Sequence, residues 1–202
     1  RILVSDLSGQ GHLLSKAEEF GLDVSTTEAV KVLEEIKRLE SPGYVFEGAE
    51  ASVAVRLHRA KPDYQPIFSL VDFTVIVEER RGRGSLAQAI VKLEIDGEIA
   101  HTAGEGNGPV NALDLALRKA LIGRYPQIAD FQLADYKVRI LDGENGTAAV
   151  TRVMIETQNH HQRWSSVGAG ANIIRASWLA LADSVEYGLC IAPERETKQA
   201  EA

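Results

Sequence analysis

Hydrophobic positions fall into two regimes along the chain. Up to Arg59 they recur at helical spacing: Leu13, Leu14, Ala17 and Phe20 share one face before Gly21, and Ala29, Val32, Leu33, Ile36 and Leu39 share another before Pro42 and Gly43. Ser25 and Glu28 precede the second run at the spacing of a capping box, in which hydroxyl and carboxylate each bond the other's backbone amide. A third helix is predicted from Ala49 to Arg59, ahead of Pro62. From Phe68 the period drops to two. Phe68, Leu70, Asp72, Phe73, Val75 and Val77 alternate mainly as a strand, Ala87 to Ile95 follows the polar turn Glu79 to Gly84, and Glu98 to Ala103 is a third strand. Val110 to Leu121 is again helical, and from Phe131 the order strand, strand, strand, helix starts over.

The two passes can be laid on each other. Phe68, Leu70, Asp72 and Val75 match Phe131, Leu133, Asp135 and Val138 at equal spacing, and Gly104, Gly106, Ala112, Leu115, Ala116 and Leu117 fall without a gap on Gly168, Gly170, Ala176, Leu179, Ala180 and Leu181. Such agreement reads as an internal duplication. The expected fold is α+β: a helical linker subdomain over 1–61, then a duplicated β-β-β-α domain with pseudo-twofold symmetry over 62–192, with repeats 67–123 and 130–190 and a polar tail over 193–202. Two similar halves with spare apolar surface also favour a C2 homodimer.

Composition narrows the partners. The chain has 202 residues, 45% of them hydrophobic, enough for a sizeable core. A formal charge of -7 argues against nucleic acid or an anionic membrane, leaving small molecules or protein. Cys190 is the single cysteine, so it closes no intramolecular disulfide; among Tyr187, Leu189 and Ile191 it is expected to be a buried, inert thiol, which suits a reducing cytosol. No run approaches the roughly 18 consecutive apolar residues of a membrane helix, and no leader pattern opens the chain, so a soluble cytoplasmic protein is expected. The chain begins at Arg1 and its only methionine is Met154, which suggests a piece of a longer protein.

Each half closes with a strand, Gly-x-Gly and a helix. Glycine can simply make that turn; it can also let a ligand approach the helix N-terminus, where unpaired amides attract a carboxylate or phosphate. No third glycine with dinucleotide-fold spacing and no Gly-Lys-Ser or Gly-Lys-Thr follows. Ala112, Ala116 and Ala120, matched by Ala176, Ala180 and Ser184, form a small-residue stripe suited to close packing. Asp72 and Asp135 recur inside strand patterns, where a buried carboxylate needs a partner; a ligand ammonium or a neighbouring backbone amide would serve. His160 and His161 lie in a polar loop and suggest water contact more than a metal, and no nucleophile, acid–base pair or metal set is evident.

Three stretches carry a family resemblance: Gly-Glu-Gly-Asn-Gly-Pro-Val-Asn-Ala-Leu-Asp at 104–114, Asp-Tyr-Lys-Val-Arg-Ile-Leu-Asp-Gly at 135–143, and Ala-Asn-Ile-Ile-Arg-Ala-Ser-Trp at 171–178. They resemble the C-terminal regulatory region of the 2-isopropylmalate and citramalate synthases, closest to the citramalate type. Residues 4–9 and 44–51 resemble the helical linker of that group, so the similarity spans nearly the whole chain. The resemblance implies an intertwined regulatory dimer, with isoleucine or leucine as feedback inhibitor. It also implies an absent TIM barrel that condenses acetyl-CoA with pyruvate or a related 2-oxo acid on a divalent metal, with no cofactor in this chain. Carried over by position, Gly104, Gly106, Asn107, Gly108, Pro109 and Ala112 form one candidate effector wall, and Gly168, Gly170, Asn172 and Ile173 the other; Asp72 and Asp135 complete the effector set. The second turn lacks the proline of the first, so the two pockets need not be equivalent.

Overall fold

The capping box at Ser25 forms as its spacing predicts. The Ser25 amide donates to Glu28 Oε2 at 2.7 Å and the Glu28 amide to Ser25 Oγ at 3.3 Å, opening helix α2 (Thr26–Glu40). This computed structural model describes residues 10–40, 46–141, 143–193, 195 and 197. The expected stop at Pro42 and Gly43, the motif at 4–9 and most of the tail lie outside the described residues. Helix α1 (Gln10–Glu19) buries Leu13 and Ala17, and Gly21 follows at φ +76°, the left-handed conformation that ends helices.

Two compact units make up the chain. One is Pro66–Asp130; the other combines Arg1–Gln65 with Phe131–Ala202, as far as these are described. The helical segment therefore packs with the second strand–helix repeat, as parts of one body.

Pro66–Asp130 holds an antiparallel sheet in the order β1 (Ser69–Arg80), β2 (Gly84–Ile95), β3 (Glu98–Gly106), followed by α4 (Pro109–Leu121). Period-2 alternation sends Ala87, Ala89, Val91 and Leu93 of β2 to one face. There they meet Ala112, Leu113, Ala116, Leu117 and Leu121 of α4, all essentially solvent-free. Each leucine so buried contributes about 2 kcal/mol. Helix α4 covers β2 and β3 far more than β1.

The other unit repeats the order: β4 (Gln132–Ile140), β5 (Thr151–Gln158), β6 (Arg163–Gly170), then α5 (Ile173–Glu186). Val153 and Ile155 pack beneath α5, and the Trp164 indole N–H donates to the Ser184 carbonyl at 3.1 Å. Strand β6 is a sheet edge whose free backbone groups need cover. Helix α3 (Glu50–Arg59) supplies it: Ser52 Oγ accepts from the Val167 amide at 2.9 Å and donates to its carbonyl at 3.4 Å. Every residue of α3 from Ala51 to Leu57 is buried, so this helix lies at the centre of its unit.

Three ion pairs lock α3 to α5. Arg56 reaches Asp183 at 3.0 Å, and Arg59 reaches Asp183 at 3.2 Å and Glu186 at 2.6 Å. The His58 ring nitrogen Nδ1 lies 3.4 Å from Glu186. Burial opposes the Glu186 charge, but the His58 hydrogen bond and the Arg59 charge outweigh it and hold the carboxyl below its ordinary range. Tyr64 beside this cluster is pushed up to about 12, by burial first and then by the Glu186 charge. Cys190, expected to be buried, is partly exposed, because it falls in the π-helical turn Tyr187–Ile191 that follows α5 and presents only some positions to the core.

Candidate functional site

The glycines that end β3 and β6 divide by role. A side chain at Gly104 would meet the Ala116 amide nitrogen at 2.7 Å and the Ala112 carbonyl at 2.8 Å. At Gly168 it would meet the Ala176 carbonyl at 1.9 Å and the Ala180 nitrogen at 3.0 Å. In both units the strand glycine thus faces the same two positions of the alanine stripe, and each alanine lets the helix come down onto bare backbone. A hydroxyl two residues earlier repeats as well: Thr102 Oγ1 donates to the Ala116 carbonyl and Ser166 Oγ to the Ala180 carbonyl, each at 2.7 Å. Gly106 is equally tight against Asn111 and Ala112, whereas Gly108 and Gly170 have open space around the missing side chain.

The two helix N-termini differ in how they are closed. In α5, Asn172 is the N-cap, and its Oδ1 accepts from the Ile174 amide at 2.9 Å and the Arg175 amide at 3.1 Å. Those are the first-turn donors that would otherwise bind an anion. In α4 the N-cap is Gly108, which has no side chain to offer, and Pro109 follows at the first helical position. Asn111 Oδ1 accepts instead from the Asn107 amide at 3.1 Å, bracing the loop just before the helix. The first helix start has no side-chain cap, and the second is capped by its own asparagine. Asn172→Ala should therefore destabilise its unit by about 1 kcal/mol, read by urea denaturation.

Asp72 and Asp135 stand apart from these turns. Each follows a β-bulge, between Leu70 and Asp72 in β1 and between Leu133 and Asp135 in β4. The extra residue reverses the phase and turns the carboxylate to the outer face, away from the helix. There Asp72 pairs with Lys92 at 3.3 Å and Asp135 with Lys137 at 2.6 Å. Lys137 and the Tyr136 amide hold the Asp135 carboxyl below its usual range. Within each unit the structure brings together Gly104, Gly106, Asn107, Gly108, Pro109 and Ala112, and separately Gly168, Gly170, Asn172 and Ile173, and it leaves the aspartates on the opposite sheet face. The loop-bracing role of Asn111 was not read from the sequence, although an asparagine two residues inside a helix that begins Gly-Pro was a usable signal.

No group of three or more His, Cys, Asp and Glu side chains suited to a metal ion occurs among the described residues, and none of the described helices is long and apolar enough to cross a membrane. What the geometry defines is an α+β module of three-stranded sheets backed by close-packed helices, with one open helix terminus. The chain belongs to the LeuA allosteric (dimerisation) domain family, whose pattern matches residues 47–189. It is 48% identical over 97% of its length to the (R)-citramalate synthase of Geobacter sulfurreducens and 47% identical over 94% to that of Synechocystis sp.. The 2-isopropylmalate synthase of Aquifex aeolicus is more distant, at 30% over 94%. The chain spans 38%, 36% and 34% of the lengths of these three relatives.

Proposed function

We propose that this chain is the allosteric, amino-acid-binding and dimerising region of a citramalate synthase-type acyltransferase that condenses acetyl-CoA with pyruvate in the cytoplasm, and that isoleucine is its feedback inhibitor. The open N-terminus of α4 carries the reading. Its first-turn amides and partial positive charge suit the amino acid's carboxylate, and Gly108 lets the ligand approach the backbone. Asn107, Gly108 and Pro109 form its wall. The self-capped turn at Asn172 would be the weaker or empty pocket. The aspartates, paired with lysines on the other sheet face, are left out, and backbone carbonyls would meet the ammonium.

Dimerisation has its own support. Val77 on β1 and Ile140 on β4 occupy matching positions on the helix side of their sheets, and they are 55% and 57% exposed. Apolar rows that their own helices do not cover are what a second, twofold-related copy would bury. Inhibition would follow if the amino acid favours one of two arrangements of the parent enzyme.

Calorimetric titration of the intact chain with isoleucine, leucine and valine is the test. Saturable heat is expected with isoleucine, weakened about tenfold or more by Asn107→Ala, a loss of roughly 1.4 kcal/mol. No heat and no thermal shift with any of the three would remove the effector and leave a dimerising module. Tighter binding of leucine than isoleucine would assign the chain to the 2-isopropylmalate branch.

A further inference from the structure

On the outer face of the second sheet, turned away from α5, β4 and β5 place Arg139 directly opposite Arg152. Directly opposed side chains start roughly 4.5–5.5 Å apart at Cβ, so two guanidinium groups there repel. The repeat does not require them. The corresponding residues of β1 and β2, also directly opposed, are Ile76 and Gln88. The paired positive charge is thus peculiar to this face, in a chain whose net charge is -7.

The two arginines border a recess of about 310 Å³, whose other walls are Glu47, Gly48, Leu141 and Met154. Arg152 is anchored, its Nη2 donating to the Glu47 carbonyl at 2.6 Å. Gly48 adopts φ +71°, and a Cβ there would touch the Met154 methyl at 3.4 Å, so this turn sits close on Met154 in a conformation that favours glycine. The Arg139 side chain is exposed and has no hydrogen bond or ion pair to another described residue. Among the described residues Glu47 is the one acidic residue lining the recess, so two guanidinium groups face one carboxylate there.

We propose that this recess binds a small aliphatic carboxylate, its oxyanion between Arg139 and Arg152 and its hydrocarbon on Leu141 and Met154. Guanidinium donors match a carboxylate's paired oxygens, and the apolar floor selects an organic acid over a bare inorganic anion. Binding would also relieve the cross-strand repulsion. The site lies on the sheet face opposite Gly168 and Gly170, so it stands or falls independently of the isoleucine reading.

The test follows the arginine Nε–Hε resonances of the intact, nitrogen-15-labelled chain during titration with sodium butanoate at constant ionic strength. The Arg139 and Arg152 signals should move together and saturate, inorganic phosphate should bind at least about fivefold more weakly, and Arg139→Gln should lower the butanoate affinity about tenfold or more. Arg139→Gln should melt no lower than the parent without ligand, since it removes a repulsion, and butanoate should raise the melting temperature of the parent alone. Shifts spread without saturation over all arginines, Arg124 included, would overturn the proposal. Unchanged butanoate affinity in Arg139→Gln, or phosphate binding as tightly as butanoate, would do so too.

Discussion

Gly168→Ala is expected to disrupt the unit that contains both tryptophans. The added methyl would lie 1.9 Å from the Ala176 carbonyl, and the obstructing atoms are helix backbone, which no rotamer change can move aside. Helix α5 must lift from β6, losing the Ser166 bond to Ala180 and the packing of Ala176 and Ala180 at once. The cost should be about 3 kcal/mol, the upper part of the range for overpacked sites. Trp164 and Trp178 both belong to this unit, so a urea titration followed by tryptophan fluorescence reads it directly. Gly170→Ala is the control; its side-chain position is open and its midpoint should hold within about 0.5 kcal/mol. Equal midpoints for the two variants would mean that the glycine-on-helix contact does not set the packing distance.

A comparable loss is expected from Asp183→Ala. Asp183 faces both Arg56 and Arg59, and its side chain is only 5% exposed. Removing it leaves buried guanidinium charge with one carboxylate fewer, which costs about 3–5 kcal/mol. The loss measures the stranded charge more than the worth of the pair, so replacing Arg56 by Met and Asp183 by Leu together should recover most of it. The same cluster sets an acid limit. The folded Glu186 carboxyl titrates below its ordinary range, so the unfolded chain takes up a proton first as pH falls. The stability Glu186 contributes is therefore fully present above the ordinary glutamate pKa of about 4.3, and it is lost as pH drops through the depressed folded value. Glu186→Gln should flatten that part of the stability profile in acid-titrated urea melts; an unchanged slope would assign the acid limit to other carboxylates.

These two sites show what kind of information each level holds. Gly104 and Gly168 were legible as equivalent positions, but whether they served a turn or a contact was not. The register that aims them at Ala112–Ala116 and Ala176–Ala180 is fixed only when strand and helix meet. The aspartates are the clearer case. Their strand pattern suggested a buried carboxylate needing a partner, and a single extra residue at each bulge turned them out to lysines. A bulge is set by the pairing with the neighbouring strand, which one strand's own alternation does not contain. The Arg56–Asp183–Arg59–Glu186 cluster joins residues about 127 positions apart, and no local spacing announces such a pair.

By itself, the sequence determined the local elements and their order: the Ser25 capping box, the three helices before Pro62, the two strand–strand–strand–helix passes, and the motifs at 104–114 and 171–178 that mark the family. These follow from periodicity and capping, which act within a turn or two of chain. The tertiary structure alone decided three things: the helical segment joins the second repeat, the aspartates face away from the glycine turns, and one helix terminus is closed by Asn172 while the other stays open at Gly108. Each depends on which backbone donors and charges are left unmatched once distant segments pack, and that balance exists only in the folded chain.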